Sequence, residues 1–357
     1  MNVYHNELND TLKIEAIKFI VEESWDKNIW PKYNEWLYEL IQPKLEQELS
    51  AALNLYYKKT YASVVNNQGY LFSSEGNAHQ ALIYYKESLE IQKSINDKEG
   101  TATSLNNIGA IYNKVGDISN AIDFYLQSAE LYAELENKFG EAQTLNNLGH
   151  IHHAQGNNEL ALKYFKTSLS LFEELNHPKG IATLLNSIGY FHHKTKEYDI
   201  SLEYYKKALV IRQEINDQNG IASTLNNIAS AYSGKQELDS AQHYYMLCIP
   251  VYEAQNNISG LAITYSNAGR SLYRSGQKSK AIAFAEKGLQ FAQETESPSV
   301  IATSAKAYSE ILEESGKTKK ALEYLHLYLE MRDSTLNQET KIAAAKSEAK
   351  YEFEIQK

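Results

Sequence analysis

The sequence predicts an all-α chain, a solenoid in which similar helical hairpins stack on one another. Two observations support this prediction. First, a glycine recurs every 40 residues, at Gly100, Gly140, Gly180, Gly220 and Gly260, and the segment that follows it recurs as well. Second, apolar residues in each segment are spaced by three and four residues, as on one face of a helix. A shared period of this size indicates hairpins that bury one continuous core.

Each unit of 40 residues is predicted to form two helices. Leu105, Ile108 and Tyr112 make one apolar stripe along the first helix. Gly116 then ends that helix, at a point where a left-handed backbone conformation is usually needed. Asp117 follows, and its side-chain oxygen is placed to cap the second helix.

The second helix of the unit is predicted to bury Ala121, Tyr125 and Ser128. Gly109 and Ala121 are small where the two helices approach each other, because a larger residue would push the helices apart. Paired aromatic residues recur in the second helix and are interpreted as core residues rather than as a ligand box. These pairs are Tyr84-Tyr85, Phe124-Tyr125, Tyr164-Phe165, Tyr204-Tyr205 and Tyr244-Tyr245.

At these spacings the unit resembles the signature of the tetratricopeptide repeat (TPR) family. The family period is about 34 residues, so the present unit is longer and is similar to the variant in Pins-like polarity adaptors and bacterial signalling proteins. The resemblance covers about residues 61–340 and implies a right-handed superhelix (α-solenoid) of TPR hairpins. The signature residues are Leu105, Ile108, Gly109, Tyr112, Ala121, Tyr125 and Ser128.

Three segments follow from this comparison. Residues 1–60 hold all three tryptophans, are not repetitive, and are predicted to form an N-terminal helical cap. Residues 61–340 form seven TPR-like units, the last of which has Ser309 where the first-helix glycine belongs, as suits a terminal unit. Residues 341–357 are predicted to form a helix that leaves the array and supports at most a weak homodimer.

Composition restricts the function. The formal net charge of −10 disfavours nucleic-acid binding, which needs clustered Lys and Arg, and also contact with an anionic membrane. A single cysteine excludes an intramolecular disulfide and a cysteine metal cluster. No phosphate loop, nucleophile elbow or HExxH motif is present, so we predict neither an enzyme nor a cofactor.

A second stripe runs beside the apolar one on the first helices, and we call it the first-helix stripe. The resemblance implies that this face lines a concave groove that binds a protein or peptide. Asparagine side chains donate and accept hydrogen bonds, which matches an extended peptide backbone, and Arg270 and Arg274 suit an acidic side chain or a C-terminal carboxylate. The predicted peptide-binding residues of the stripe are Asn106, Asn113, Asn146, His150, His153, Asn186, Tyr190, His193, Asn226, Arg270 and Arg274.

Two features of this stripe have alternative interpretations. A second asparagine ladder lies next to the first, at Asn107 and its equivalents, and one of the two ladders ties adjacent hairpins together instead of facing a ligand. We interpret the Asn106 ladder as facing the ligand and the Asn107 ladder as part of the scaffold. His152 and His192 replace core tyrosines, whereas His153 and His193 face the groove without a third metal ligand, so no metal site is predicted.

The predicted function is a binding scaffold. The segments NDTLKIEA and RDSTLNQETKIAAAKSEAKYEFEIQK are similar to the sensor regions of bacterial membrane-anchored histidine kinases and related regulators. We therefore expect the ligand-sensing region of a signal-transduction protein, periplasmic if it is an excised sensor, whose kinase domain would lie in another part. The alternatives are a freestanding cytoplasmic adaptor and an intracellular receptor for short signalling peptides.

Overall fold

The computed structural model describes residues 2–23 and 29–334, and their regular elements are helices. The predicted all-α solenoid of consecutive hairpins is confirmed. The first helices of the hairpins are α3 (Ala51–Ser74), α5 (Lys98–Lys114), α7 (Lys138–Ala154), α9 (Pro178–Lys194), α11 (Gln218–Gly234), α13 (Ile258–Arg274) and α15 (Pro298–Glu314). The second helices are α4 (Ala78–Ser94), α6 (Ile118–Glu134), α8 (Asn158–Glu174), α10 (Tyr198–Glu214), α12 (Leu238–Ala254) and α14 (Lys278–Glu294), and residues 318–334 are also helical.

The chain divides into two compact units, an amino-terminal unit within Met1–Ile151 and a carboxy-terminal unit within His152–Lys341. The amino-terminal unit begins with α1 (Asn2–Glu23), α2 (Trp30–Ile41) and a short 3-10 helix (Gln42–Lys44). The predicted exit helix at residues 341–357, and the weak dimer assigned to it, lie outside the described residues. No helix in the described part of the chain is long and apolar enough to cross a membrane.

The N-terminal helices of the amino-terminal unit pack directly on its first hairpin. Ile14 of α1 and Leu37 of α2 are each 1% exposed and join the same apolar cluster as Tyr57 and Val65 of α3. Asn34 is also buried, and its Nδ2 atom donates a hydrogen bond of 3.1 Å to the Val64 carbonyl oxygen. The nonrepetitive N-terminal helices therefore cover the exposed side of the first hairpin.

The local signals that were predicted to end and begin the helices are present. Gly116 has a φ of 76°, so it occupies the left-handed region that glycine adopts without steric cost. Asp117 then caps α6, because its Oδ1 atom accepts a hydrogen bond of 3.3 Å from the Asn120 backbone nitrogen. The second helices end in the same conformation without glycine, for example at Asn96 and Asn216, each with a φ of 55°.

Stacked aromatic rings join a first helix to a second helix at three equivalent positions in the carboxy-terminal unit. The rings of Tyr232 and Tyr244 lie 5.4 Å apart at an interplanar angle of 15°. His192 and Tyr204 stack in the equivalent position at 5.7 Å and 8°. His152, which is 8% exposed, stacks on Tyr164 in the same way. The two histidines thus take the place of core tyrosines, as the sequence predicted.

Close approach of the helices depends on a small residue in the first helix. A Cβ atom added to Gly189 would lie 2.7 Å from the ring of Tyr205, whose side chain is 1% exposed. In the following hairpin Ala229 occupies the equivalent position and belongs to one buried cluster with Tyr245. The packing around Ala229 accommodates one methyl group, whereas at Gly189 even a Cβ atom requires the Tyr205 ring to shift. Because interiors are close-packed, a larger side chain at this position forces the helices apart.

We predict that Gly189→Val lowers the free energy of unfolding by about 1–3 kcal/mol, because the valine overlaps the buried ring of Tyr205. Denaturant-induced unfolding followed by circular dichroism measures the change. Gly189→Ala is the matched control and should cost less, since Ala229 is tolerated in the next hairpin. Equal stability of the valine variant and the wild type would show that the helices are not closely packed at this point.

Candidate ligand-binding surface

The first-helix stripe is divided between the two units. In the amino-terminal unit, Asn113 and His150 are exposed, and Asn106 and Asn146 are half-buried. The Oδ1 atom of Asn146 is buried and has no hydrogen-bond partner among the described residues. The other stripe residues lie in the carboxy-terminal unit, at the end of α7 and on α9, α11 and α13.

Hydrogen bonds in the amino-terminal unit join the two asparagine ladders to each other. The Nδ2 atom of Asn107 donates to the Oδ1 atom of Asn66 over 3.0 Å. One repeat later, Asn147 Nδ2 donates to Asn106 Oδ1 over 3.2 Å. Thr144 Oγ1 also donates to Asn106 Oδ1, over 3.3 Å. Each such pair, which we call an asparagine rung, links one hairpin to the next.

The carboxy-terminal unit contains the same rung. Asn227 Nδ2 donates to Asn186 Oδ1 over 3.1 Å, and Thr264 Oγ1 donates to Asn226 Oδ1 over 3.4 Å. Neither Asn186 nor Asn226 uses its Nδ2 group in a hydrogen bond to the described residues, and neither group is completely buried. The rung therefore holds the amide oxygen toward the scaffold and leaves the amide NH2 group available as a donor.

A cavity of about 760 Å³ lies on this stripe in the carboxy-terminal unit. Three of the predicted site residues, His193, Arg270 and Arg274, line it. They come from α9 and α13, while α11, between them, supplies Ser230 and Ser233. The remaining lining residues are Tyr198, Gly234, Gln236, Leu238, Tyr245 and Asn267.

The two arginines of the cavity have different partners. Arg270 forms an ion pair with Glu310 of α15, with its Nε and Nη2 atoms 3.1 and 3.0 Å from the same carboxylate oxygen, Oε2. Arg274 is exposed, and its Nη1 atom makes a long hydrogen bond of 3.4 Å to Ser233 Oγ. Burial raises the pKa of Tyr245 beneath them, so this phenol remains neutral.

His193 is the third basic side chain that lines the cavity. Its Nδ1 atom is buried and has no hydrogen-bond partner among the described residues. Its ring meets the ring of Tyr198 edge-on, with 5.6 Å between the centroids. Burial lowers the pKa of His193, and the positive charge of Lys194 lowers it further, so the imidazole is neutral at pH 7.

The other predicted residues of this unit form a separate group. His153 Nδ1 lies 3.3 Å from Asn158 Oδ1, and its ring is edge-on to Tyr190 at 6.1 Å. Tyr190 is 38% exposed, and Lys194 Nζ lies 5.2 Å from its ring centroid. No group of three or more His, Cys, Asp or Glu side chains in the described ranges is arranged to hold a metal ion.

Sequence reasoning missed two residues that matter for this cavity. Tyr198 belongs to a second helix, but the turn between α9 and α10 brings it against His193. Glu310 follows Arg270 by one repeat of 40 residues, so the period alone could have paired their side chains. Asn267 was assigned to the scaffold ladder, and it also lines the cavity.

Two family models, both described as tetratricopeptide repeat, match the sequence. One matches residues 60–134 and 180–254, and the other matches residues 142–178. Together they cover more than half of the chain. No curated protein matches the chain significantly in sequence.

Several solved structures have a similar fold. The Rap conjugation gene regulator of plasmid pLS20, in complex with the Phr* peptide, has a TM-score of 0.64 and 17% identity, with 96% of this chain and 95% of that chain covered. A Rap protein complexed with competence and sporulation factor has a TM-score of 0.61 and 14% identity, with 93% and 99% covered. A signal-transduction ATPase with a tetratricopeptide repeat sensor from Pyrococcus horikoshii has a TM-score of 0.64 and 15% identity, and the match covers 93% of this chain and 50% of that one.

The asparagine rung yields a prediction on stability. Asn186→Ala and Asn227→Ala should each lower the free energy of unfolding, and a double-mutant cycle should give a coupling energy of about 1 kcal/mol, the usual contribution of one hydrogen bond. Denaturant titrations of the four proteins measure the cycle. Asn219→Ala, which removes an exposed amide from the same helix, should change stability by less than about 0.5 kcal/mol. Additive effects of the two changes would rule out the rung.

The lowered pKa of His193 yields a prediction on pH dependence. The unfolded chain takes up a proton near the ordinary histidine pKa of about 6.5, and the folded chain does so only at lower pH. Stability from this histidine is therefore present above pH 6.5 and is lost as the pH falls through the folded pKa. We expect a decrease in the melting temperature between pH 7.5 and 5, and a shallower decrease for His193→Gln.

The control for this experiment is His243→Gln, which removes an exposed histidine from α12. Burial also lowers the pKa of His152, so the His193→Gln variant should retain part of the acid sensitivity. A melting profile for His193→Gln that parallels the wild type at every pH would contradict the prediction.

Proposed function

The chain belongs to the tetratricopeptide repeat family, and from this premise we propose that its carboxy-terminal unit binds an extended peptide segment along the first-helix stripe. The ligand is either a free peptide or a segment of a partner protein. The chain acts as a binding scaffold, and catalysis is no part of its role.

One observation carries this proposal, the orientation of the Asn186 and Asn226 amides by hydrogen bonds from the next repeat. The Oδ1 atoms of Asn186 and Asn226 already accept hydrogen bonds from the next repeat, while their NH2 groups point away from these bonds. An extended peptide carries unpaired backbone carbonyl groups, which are acceptors for such donors. Because the donors are held by the scaffold before a ligand arrives, little conformational entropy is lost on binding.

The charged end of the stripe supplies the second kind of contact. Arg270 and Arg274 line the cavity on α13, and guanidinium groups form strong, directional hydrogen bonds with carboxylates. The proposed ligand therefore lays its main chain against α9 and α11 and presents an acidic side chain or its C-terminal carboxylate to α13. Tyr190, exposed at 38% on α9, offers an apolar surface for a ligand side chain.

In the cell, we propose, this binding unit senses a peptide or protein ligand in a bacterial signal-transduction protein. The proposed sensor role is supported by the fold shared with the tetratricopeptide repeat sensor of the Pyrococcus horikoshii ATPase. A second candidate is a receptor for short signalling peptides. It is favoured by the similarity to two Rap structures determined with a peptide or with competence and sporulation factor, which extends over nearly the full length of both chains in each comparison.

We predict that Asn186→Asp/Asn226→Asp weakens peptide binding by about tenfold or more. Aspartate keeps the oxygen that accepts a hydrogen bond from the next repeat but replaces the NH2 donor with an oxygen that repels a peptide carbonyl. Fluorescence anisotropy with a labelled positional-scanning hexapeptide library, amidated at the C-terminus and free of Asp and Glu, measures the affinity.

Gln213→Glu/Gln293→Glu is the matched control, because it makes the same chemical change at two exposed amides on α10 and α14. It should bind the library as the wild type does. Equal binding by the Asn186→Asp/Asn226→Asp protein would move the peptide away from the first-helix stripe.

A further inference from the structure

Arg270 lies between two cavities of opposite character. On one side is the cavity of about 760 Å³, and none of the described residues that line it carries a carboxylate. On the other side is a cavity of about 380 Å³, whose lining includes Glu310 and Glu314. Arg274 lines both cavities as well. In a chain with a net charge of −10, the larger cavity is thus a local concentration of positive charge.

Glu310 forms an ion pair with Arg270 from the side of the smaller cavity. The Nε and Nη2 atoms of Arg270 both contact the Oε2 atom of Glu310, at 3.1 and 3.0 Å, so the pair is not the fork-to-fork arrangement in which both carboxylate oxygens are used. The side chains are 30% and 46% exposed, respectively. Ion pairs of this exposure contribute little to stability, so the pair can be exchanged for another at low cost.

We propose that Glu310 is a built-in competitor for the acidic group of the ligand, and that it sets the affinity of the cavity by holding Arg270 until a ligand carboxylate replaces it. This inference rests on the proposed function. Arg274, whose only described side-chain hydrogen bond is the long contact with Ser233, makes the first contact with the ligand carboxylate. Arg270 then turns from Glu310 toward the same carboxylate.

The exchange also changes the junction between two repeats. The ion pair from Arg270 to Glu310 ties α13 to α15, and it is joined there by a hydrogen bond of 3.0 Å from the Tyr273 hydroxyl to the Glu314 carbonyl oxygen. When the ligand takes Arg270, the junction keeps the backbone contact and loses the ion pair. Binding of a ligand to the first-helix stripe in this way removes one of the contacts that hold α15 against α13.

The first test compares the affinities of Glu310→Gln and wild-type protein for two sets of labelled hexapeptide pools. One set has a fixed Asp or Glu or a free C-terminus, and the other is amidated and free of acidic residues. Removing the competitor should strengthen binding of the carboxylate-bearing pools about two- to fivefold, which corresponds to the small contribution of an exposed ion pair. The acid-free pools should bind both proteins equally. Pools with a fixed acidic residue but an amidated C-terminus distinguish a side-chain carboxylate from a terminal one.

Two further variants separate competition from a general change in charge. Glu314→Gln removes a neighbouring carboxylate on α15 that forms no side-chain ion pair with Arg270 among the described contacts, so it should leave affinity nearly unchanged. In the double variant, Arg270→Gln should abolish the gain in affinity that Glu310→Gln produces, because Glu310 competes only for Arg270. Circular dichroism melting confirms that all variants are folded.

The outcomes are distinct for the two proposals. Acidic pools that bind Glu310→Gln and wild type equally would overturn the competitor and leave the peptide site standing. An equal gain from Glu314→Gln, or a gain that persists without Arg270, would also overturn the competitor. Failure of every pool to bind would overturn the proposed function and this inference together.

Discussion

The close contact between a small residue on the first helix and an aromatic ring on the second is the constraint on which the rest of the structure depends. Gly189 faces Tyr205 with no room for a branched side chain, and Ala229 shares a cluster with Tyr245 in the next hairpin. This contact sets the distance between the two helices of a hairpin. Because each hairpin cannot bury its apolar faces alone, the same distance governs how the next hairpin packs on it.

The candidate site is a product of this regular packing. Once the first helices are held at a constant spacing, side chains at equivalent or adjacent positions of successive repeats come within hydrogen-bond distance of each other. Asn186 and Asn227 meet in this way, and so do Arg270 and Glu310. The same geometry that stabilises the scaffold therefore orients the donors of the stripe and determines which charges are already paired before a ligand binds.

The sequence was sufficient to predict the fold, because a period of 40 residues repeats small, apolar and capping residues in register. It also predicted correctly that His152 and His192 replace a tyrosine of other repeats, since each stacks on a tyrosine of the second helix. The division of roles between the two asparagine ladders could not be predicted in the same way. Periodicity shows which helix face a residue occupies, but it does not show that Asn107 and Asn66, from different repeats, share one hydrogen bond. Similarly, the cavity needed Tyr198, which lies on a second helix outside the stripe.

The asparagine rung has a consequence for how such a chain changes length during evolution. A repeat with both asparagines offers an amide oxygen to the following repeat and an amide NH2 group to the preceding repeat. Any two such repeats can therefore form the same hydrogen bond with each other. Duplication or loss of a whole repeat at these positions leaves every junction correctly paired. The junction between Arg270 and Glu310 has no such freedom, because duplication of the arginine-bearing repeat would place two guanidinium groups side by side. The arginine-bearing repeat is therefore expected to occur once in the array, whereas repeats that carry the asparagine rung can be added or lost.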